Sequence, residues 1–345
     1  MSKRMIGLAL ALCLLLTACG GGKEDSRGQA SFLGEAAGLE ETAVLVTVGG
    51  REVPAWRYLY WLAYTCDRVR DQYGKAGLTL DWSAAVSGGT LADYVRDQAL
   101  ADTALYAVVE NWAEQYGCTL DGDDQVSLAE AWEENAESRG GEAAYLEELR
   151  RLGLDRERAE ELAAVGMQYA KLYALYGEAD SPLAPDEETL KAFAAEQGQL
   201  TLDRILISAG EDREAARLKA AEVFSRLNSA ADQAAEFTAL AAAGDDTAGP
   251  RTVTVGDGTL DPVLEEAAAA LEEGQCSGIL ESGEGFSILR RLPADTGAVR
   301  EAYFDHLLQE AAETAELQTA EAYGKLDVEA FYRALEQLRT AEAAS

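Results

Sequence analysis

Apolar residues recur at helical spacing over much of the chain. Over 56–73 the inward positions are Leu59, Leu62, Tyr64 and Val69, with Tyr60 and Trp61 widening the face, and Gly74 and Gly77 stop the helix. Thr90 caps a helix from 91 to about 116 whose expected inward residues are Tyr94, Leu100, Leu105, Val108 and Trp112. Further helices are expected over 121–138, with Val126, Leu128 and Trp132, over 143–149, and over 156–176 behind an Asp155 cap. Ahead of them, 43–48 is β-branched, closes at Gly49-Gly50 and resumes at Glu52-Val53, a strand–turn feature. Pro54 stands where a first helical turn tolerates it. Residues 36–198 therefore read as mainly helical.

The texture changes after Pro182 and Pro185. Asp186 caps a helix over 187–196, and Gly198 ends it. Residues 202–207 read as a buried strand, 213–228 and 236–243 as helices, and 252–255 as β-rich. A helix over 262–271 ends at Gly274, and strands at 277–280 and 286–292 flank a Gly283-Glu284-Gly285 turn. This order is that of an α+β domain. The closing segment, 299–341, is expected to be helical and acidic with a break near Gly324-Lys325.

Charge narrows the function classes. Lys and Arg total 29 and Asp and Glu 62, a net charge of −33. That field repels phosphate backbones and anionic lipid headgroups, which argues against nucleic-acid partners and a polybasic membrane clamp. The acidic residues mostly fill outward helical positions, a solvated face and not a metal site. The single histidine, His306, excludes any site needing two imidazoles. Five cysteines are too few and too scattered for a disulfide scaffold or a zinc ribbon. No metal and no small-molecule cofactor is called for.

The first residues are an address. Lys3 and Arg4 precede an apolar run over 6–16, too short to span a bilayer, which takes about 20 residues. Leu16-Thr17-Ala18-Cys19 resembles the bacterial lipobox, in which the cysteine is acylated. Residues 1–18 are thus expected to be a signal peptide. Residues 19–42 are expected to be a flexible tether, and Cys19 the point of attachment to an extracytoplasmic membrane face.

Several stretches resemble extracytoplasmic foldases of the SurA and PrsA type, which carry a parvulin (PpiC-type) peptidyl-prolyl isomerase domain between helical chaperone segments. The run LVTVGGREV at 45–53 is similar to the family's opening strand–turn, and APDEETLKAF at 184–193 to the helix before its isomerase domain. Inside the domain, Arg204-Ile205-Leu206-Ile207 falls on the family's first strand. The runs at 237–241, 244–246, 260–265, 271–277 and 285–289 follow in the family's order.

The resemblance implies an α+β chain: a mainly helical SurA-like chaperone domain at 43–198, an inserted parvulin-like domain at 199–294, and a helical segment at 295–345 packing on the chaperone domain. It also implies site positions, and here the chain departs from the family. The two histidine positions hold Arg204 and Ser287, and only Asp246 fits the carboxylate position. The proline pocket falls to Leu260 and Leu264, where the family has methionine and phenylalanine, together with Phe286. An Arg204–Asp246 ion pair is expected in place of a tuned hydrogen-bond network.

The expected activity is that of a membrane-anchored holdase for unfolded or nascent exported polypeptides, with isomerase activity weak or lost. An active isomerase and a structural or solute-binding lipoprotein stand as alternatives. Cys66 and Cys118 either pair in an oxidising compartment or serve as two buried apolar residues. Cys276 is expected to pack. Trp56, Trp61, Trp112 and Trp132 are expected to be core or to line a client-binding concavity.

Overall fold

The computed structural model describes residues 32–86 and 88–343. The expected signal peptide and Cys19 lie outside the described residues. In chain order the elements are α1 (Phe32–Ala37), β1 (Val44–Val48), β2 (Arg51–Pro54), α2 (Ala55–Lys75), β3 (Ala85–Val86), β4 (Gly89–Thr90), α3 (Leu91–Gln115), α4 (Gly122–Ser138), α5 (Glu142–Arg151), α6 (Arg156–Tyr176) and α7 (Glu187–Glu196). Then come β5 (Gln199–Ser208), α8 (Arg213–Ser229), α9 (Gln233–Ala242), β6 (Arg251–Thr254), α10 (Pro262–Ala270), β7 (Leu280–Glu281), β8 (Gly285–Leu292), α11 (Thr296–Thr314), β9 (Leu317–Thr319), α12 (Glu321–Lys325) and α13 (Val328–Ala343). The architecture is mostly helical α+β, with a sheet-containing region over about 199–292.

Side-chain caps explain where helices begin. Thr90 accepts from the Asp93 N–H while the Asp93 carboxylate accepts from the Thr90 N–H, and Asp121 and Asp124 repeat this box at α4. Asp155 and Asp186 accept from the N–H groups of Arg158 and Thr189. Each satisfies a donor that the first turn leaves free, typically for ~1 kcal/mol.

The described residues form two compact units. One comprises the residues up to Leu183 and from Phe304 onward; the other is Ala184–Tyr303. These divisions differ from 198/199 and 294/295. The difference arises because Leu190, Phe193 and Ala194 of α7 pack on Val299, and the Phe193 ring meets Tyr303 edge-on at 5.2 Å.

In the first unit β1 is central to an antiparallel sheet, β2-β1-β9, and α2, α3 and α6 pack nearby. Val46, Val48, Val53, Tyr58, Leu59 and Leu62 are buried. Phe304 is enclosed by Tyr169, Tyr173 and Tyr176.

Four expectations are corrected here. The tether is folded from Phe32 onward: Leu33 is fully buried, α1 packs on α13, and Glu41 accepts from the Gly34 N–H and pairs with Arg158 at 2.7 Å. Tyr94 and Tyr64 point outward, because the buried stripe of α3 runs through Val95, Ala99, Ala107 and Ala113, and that of α2 through Leu62, Ala63, Cys66 and Val69. On α4 Val126 is likewise exposed, because the buried side of that helix runs through Trp132 and Ala136. The closing segment is not wholly helical, since Leu317–Thr319 pairs with β1.

The second unit is a four-stranded antiparallel sheet, β6-β5-β8-β7. Ile205, Ile207, Phe286 and Ile288 pack on one face against Ala216, Ala220 and Leu227 of α8 and Phe237 of α9. Leu200, Leu202 and Leu289 pack on the other against Leu264 and Ala268 of α10.

Candidate functional site

Strand alternation decides which residues meet. In the β5–β8 ladder Arg204 faces Leu289, Leu206 faces Ser287, and Ile207 faces Phe286. Arg204 and Ser287 therefore lie on the α10 face with Leu289, and Leu260 and Leu264 belong to that face's core. Phe286 lies on the opposite face, in the core built on α8 and α9, with the Arg213 guanidinium 5.4 Å from its ring centroid. It does not share a pocket with Leu260 and Leu264; that expectation is corrected by the period-two pleat. Leu264 is fully packed at 2% exposure, and Leu260 is half-buried.

The loop after α9 is fastened to the end of β5. The Asp245 N–H donates to the Leu206 carbonyl at 2.9 Å, and the Ser208 N–H donates to the Asp245 carboxylate at 2.7 Å. On the other side, Gly285 adopts φ +147°, and a Cβ there would strike the Ile207 carbonyl oxygen, so only glycine fits this approach. These anchors bring Asp246 and Glu284 to Arg204. Arg204 Nε lies 3.1 Å from Asp246 Oδ2, and its Nη2 lies 2.8 Å from Glu284 Oε2. Asp246 also pairs with Arg251 and accepts from the Ala248 N–H at 3.2 Å. Arg251 and Glu284 were not foreseen as members of this group. Their only mark in the sequence is that Arg251 is a cation in a loop of acids and Glu284 sits in the tight turn before Gly285.

The electrostatics follow from this geometry. Burial pushes the Asp246 carboxyl up, but the Ala248 N–H, Arg251 and Arg204 outweigh it and hold it below the usual carboxylate range. The carboxylate thus lies between two guanidiniums. Ser287 is fully buried, and its Oγ has no hydrogen-bond partner among the described residues. Such a site can hold charge in place.

The remaining candidates lie elsewhere. Cys66 sits in the middle of α2 and Cys118 beyond the end of α3; both are buried free thiols, with no disulfide between them. Burial pushes both thiols up, so they are poor nucleophiles. Cys276 bridges Arg290 in the sheet and packs on the α8–α9 core. His306 lies on α11, outside the sheet domain. Trp56 and Trp132 are core, the first between the guanidiniums of Arg57 and Arg158, the second against Tyr145 and Arg156. Among the described residues no three His, Cys, Asp or Glu side chains are grouped so as to hold a metal ion.

Residues 203–292 match the Rotamase family, the PPIC-type PPIASE domain. No curated protein matches the chain. Among solved structures, the chain is similar to the PrsA peptidylprolyl isomerase of Bacillus cereus, with 16% identity, 87% of this chain and 93% of that one covered, and a TM-score of 0.25. PrsA of Bacillus subtilis is similar at 15% identity over 75% of this chain and 93% of its own, with a TM-score of 0.25. A SurA-like chaperone of Campylobacter jejuni is similar at 12% identity over 81% and 100%, with a TM-score of 0.22.

Proposed function

We propose that the protein is an extracytoplasmic, membrane-anchored folding factor. In this reading the signal peptide 1–18 is removed, and lipid on Cys19 tethers the chain to the bacterial cell membrane. The helical parts, 43–198 and 295–345, hold apolar segments of unfolded or nascent exported polypeptides. The parvulin-like domain, 199–294, keeps the fold with its isomerase activity weak or lost. The lipobox-like run at 16–19 supports the anchor, and the 203–292 family match supports the parvulin reading.

One observation carries the loss of activity: Arg204 is pinned between Asp246 and Glu284, where the family keeps a histidine. Prolyl isomerisation must cross a barrier of about 18–20 kcal/mol set by amide resonance. A catalyst lowers it by holding the ring in an apolar pocket and aiming polar groups at the twisted amide. A guanidinium whose charge is already matched by two carboxylates has little field left to aim at a twisted amide. Leu260 and Leu264 remain the candidate pocket residues, and Leu264 offers little open surface.

Two assays on the full chain test this. In a protease-coupled proline assay the expected rate equals the uncatalysed one. A faster rate that Leu260→Arg abolishes makes the protein a working isomerase instead. With a chemically unfolded client, aggregation is expected to be suppressed. No suppression leaves a structural lipoprotein. Acylation is read by mass spectrometry of the membrane-bound form, and an unmodified Cys19 removes the anchor.

A further inference from the structure

A groove of about 420 Å³ opens between α3, the later part of α11 and the start of β9, all within the first unit. Its apolar lining includes Leu105 and Ala312, both buried, and Leu317, which is 40% exposed. Asp102 lines it as well. As a whole residue Asp102 is only 7% exposed. Gln98 donates to its Oδ1 at 3.1 Å; its second oxygen has no hydrogen bond, and no cation pairs with it, among the described residues. Burial pushes the carboxyl up against the opposing effects of Gln98 and the more distant charge of Arg68. Asp97 and Glu313 add negative charge around the groove, and no lysine or arginine lines it. A buried carboxylate without a counter-charge is costly in a folded chain.

A second feature adjoins the first. β9 is an edge strand whose three residues are all exposed. The Gly49 N–H donates to the Glu316 carbonyl and the Ala320 N–H to the Leu45 carbonyl. With Thr47 opposite Gln318, this alternation turns the N–H and C=O groups of Leu317 and Thr319 away from β1, toward the open edge. Leu317 belongs to both features.

We propose that this groove takes an extended client segment that pairs a bulky apolar side chain with an arginine or lysine. The apolar group sits on Leu105 and Ala312, the cation on Asp102, and the segment's backbone along the free edge of β9. Strand addition supplies main-chain hydrogen bonds without regard to sequence. The carboxylate supplies the preference, and the chain's −33 charge draws cationic segments toward it. The inference rests on the reading of the helical unit as a client holder and gives that holder a chemistry.

The test uses the full chain and fluorescent peptides of about ten residues, long enough to lie along an edge strand. One alternates leucine with arginine, a second leucine with glutamate, a third leucine with glutamine, and a fourth is the first with alternate amides N-methylated. Anisotropy is expected to show the arginine peptide binding at least about tenfold more tightly than the glutamate and N-methylated ones. Asp102→Asn, close in shape, is expected to weaken the arginine peptide about tenfold and to leave the glutamine peptide unchanged. Leu317→Gln, at an exposed position, is expected to weaken both. Equal affinity for arginine and glutamate peptides, or indifference to Asp102→Asn, overturns the proposal. If aggregation suppression persists in that case, client holding stands and only this groove is wrong. If the chain neither suppresses aggregation nor binds any peptide, the reading beneath it falls too.

Discussion

Arg204 and Asp246 meet across the seam between β5 and the loop after α9, their side chains only 13% and 14% exposed. Asp246 has a second cation in Arg251, whereas Arg204 is the more deeply placed partner of the two. Replacing Arg204 by leucine removes that partner and leaves the carboxylate half-compensated. The expected cost is about 1–3 kcal/mol, between that of a surface pair and that of a fully buried one. The five tryptophans all lie at or before residue 132, so the loss is best read by hydrogen exchange in β5 and β8. Unchanged exchange there would mean that the pair carries no structural weight.

Asp246 also sets an acid limit. Its folded pKa lies below the ordinary 3.8. A depressed carboxyl contributes stability that is fully present above 3.8 and is lost as pH falls through the folded value. The sheet domain is therefore expected to lose protection below about pH 4, and Asp246→Asn to flatten that part of the profile while lowering stability at neutral pH. A wild-type profile with the same acid slope as the variant would contradict the assignment.

Ser287 gives the opposite kind of test. Its hydroxyl is fully buried with no partner among the described residues. Removing it by Ser287→Ala is expected to stabilise the sheet domain by about 1 kcal/mol, because an unsatisfied buried hydroxyl is removed along with its desolvation cost. A loss of stability, or any change in prolyl isomerisation, would show that the hydroxyl has work to do.

Much of this was legible in the chain. Aspartate and threonine caps at 90, 155 and 186 mark helix starts in the sequence and in the fold alike, while the cap at Asp121 emerges only in the fold. The Arg204–Asp246 pair follows from charge and motif order. The placement of Phe286 beside Leu264 does not hold, and the sequence itself carried the reason: Phe286 and Ser287 are adjacent in one strand, so they face opposite ways. Other features were hidden because they depend on tertiary partners. A Gly/Ser/charge-rich approach gives no periodicity for α1, which exists because Leu33 finds a buried seat. Leu317–Thr319 is too short for a strand signal and is extended because β1 offers an edge.

That seat for Leu33 can be tested at Gly153. The glycine adopts φ +77°, and a Cβ there would overlap the Leu33 side chain. Gly153→Ala combines backbone strain with overpacking and is expected to cost about 2–4 kcal/mol, while Leu33→Ala leaves a cavity costing about 2–5 kcal/mol. Combining them relieves the clash, so the double variant is expected to be less destabilised than the sum of the two. Strict additivity in urea unfolding would show that the two residues do not touch.

The sign of the pH effect at Asp102 is the reverse of that at Asp246, and one titration separates them. Burial raises the Asp102 carboxyl above its ordinary 3.8 despite Gln98 and Arg68. A group whose folded pKa is raised favours the fold while protonated, and that stability is lost as pH rises through the folded value. Wild type and Asp102→Asn are therefore expected to be nearly equal in stability below 3.8, with the variant gaining steadily above it and remaining ahead at neutral pH. Gln98 can also donate to an asparagine oxygen, so the variant keeps a weaker, neutral form of the hydrogen bond that the wild type has. Thermal unfolding of the first unit across this range, followed by tryptophan fluorescence, gives the comparison. Equal stabilities at neutral pH would mean that the carboxylate is already compensated, and the groove would then have no unmet charge to offer a cationic guest.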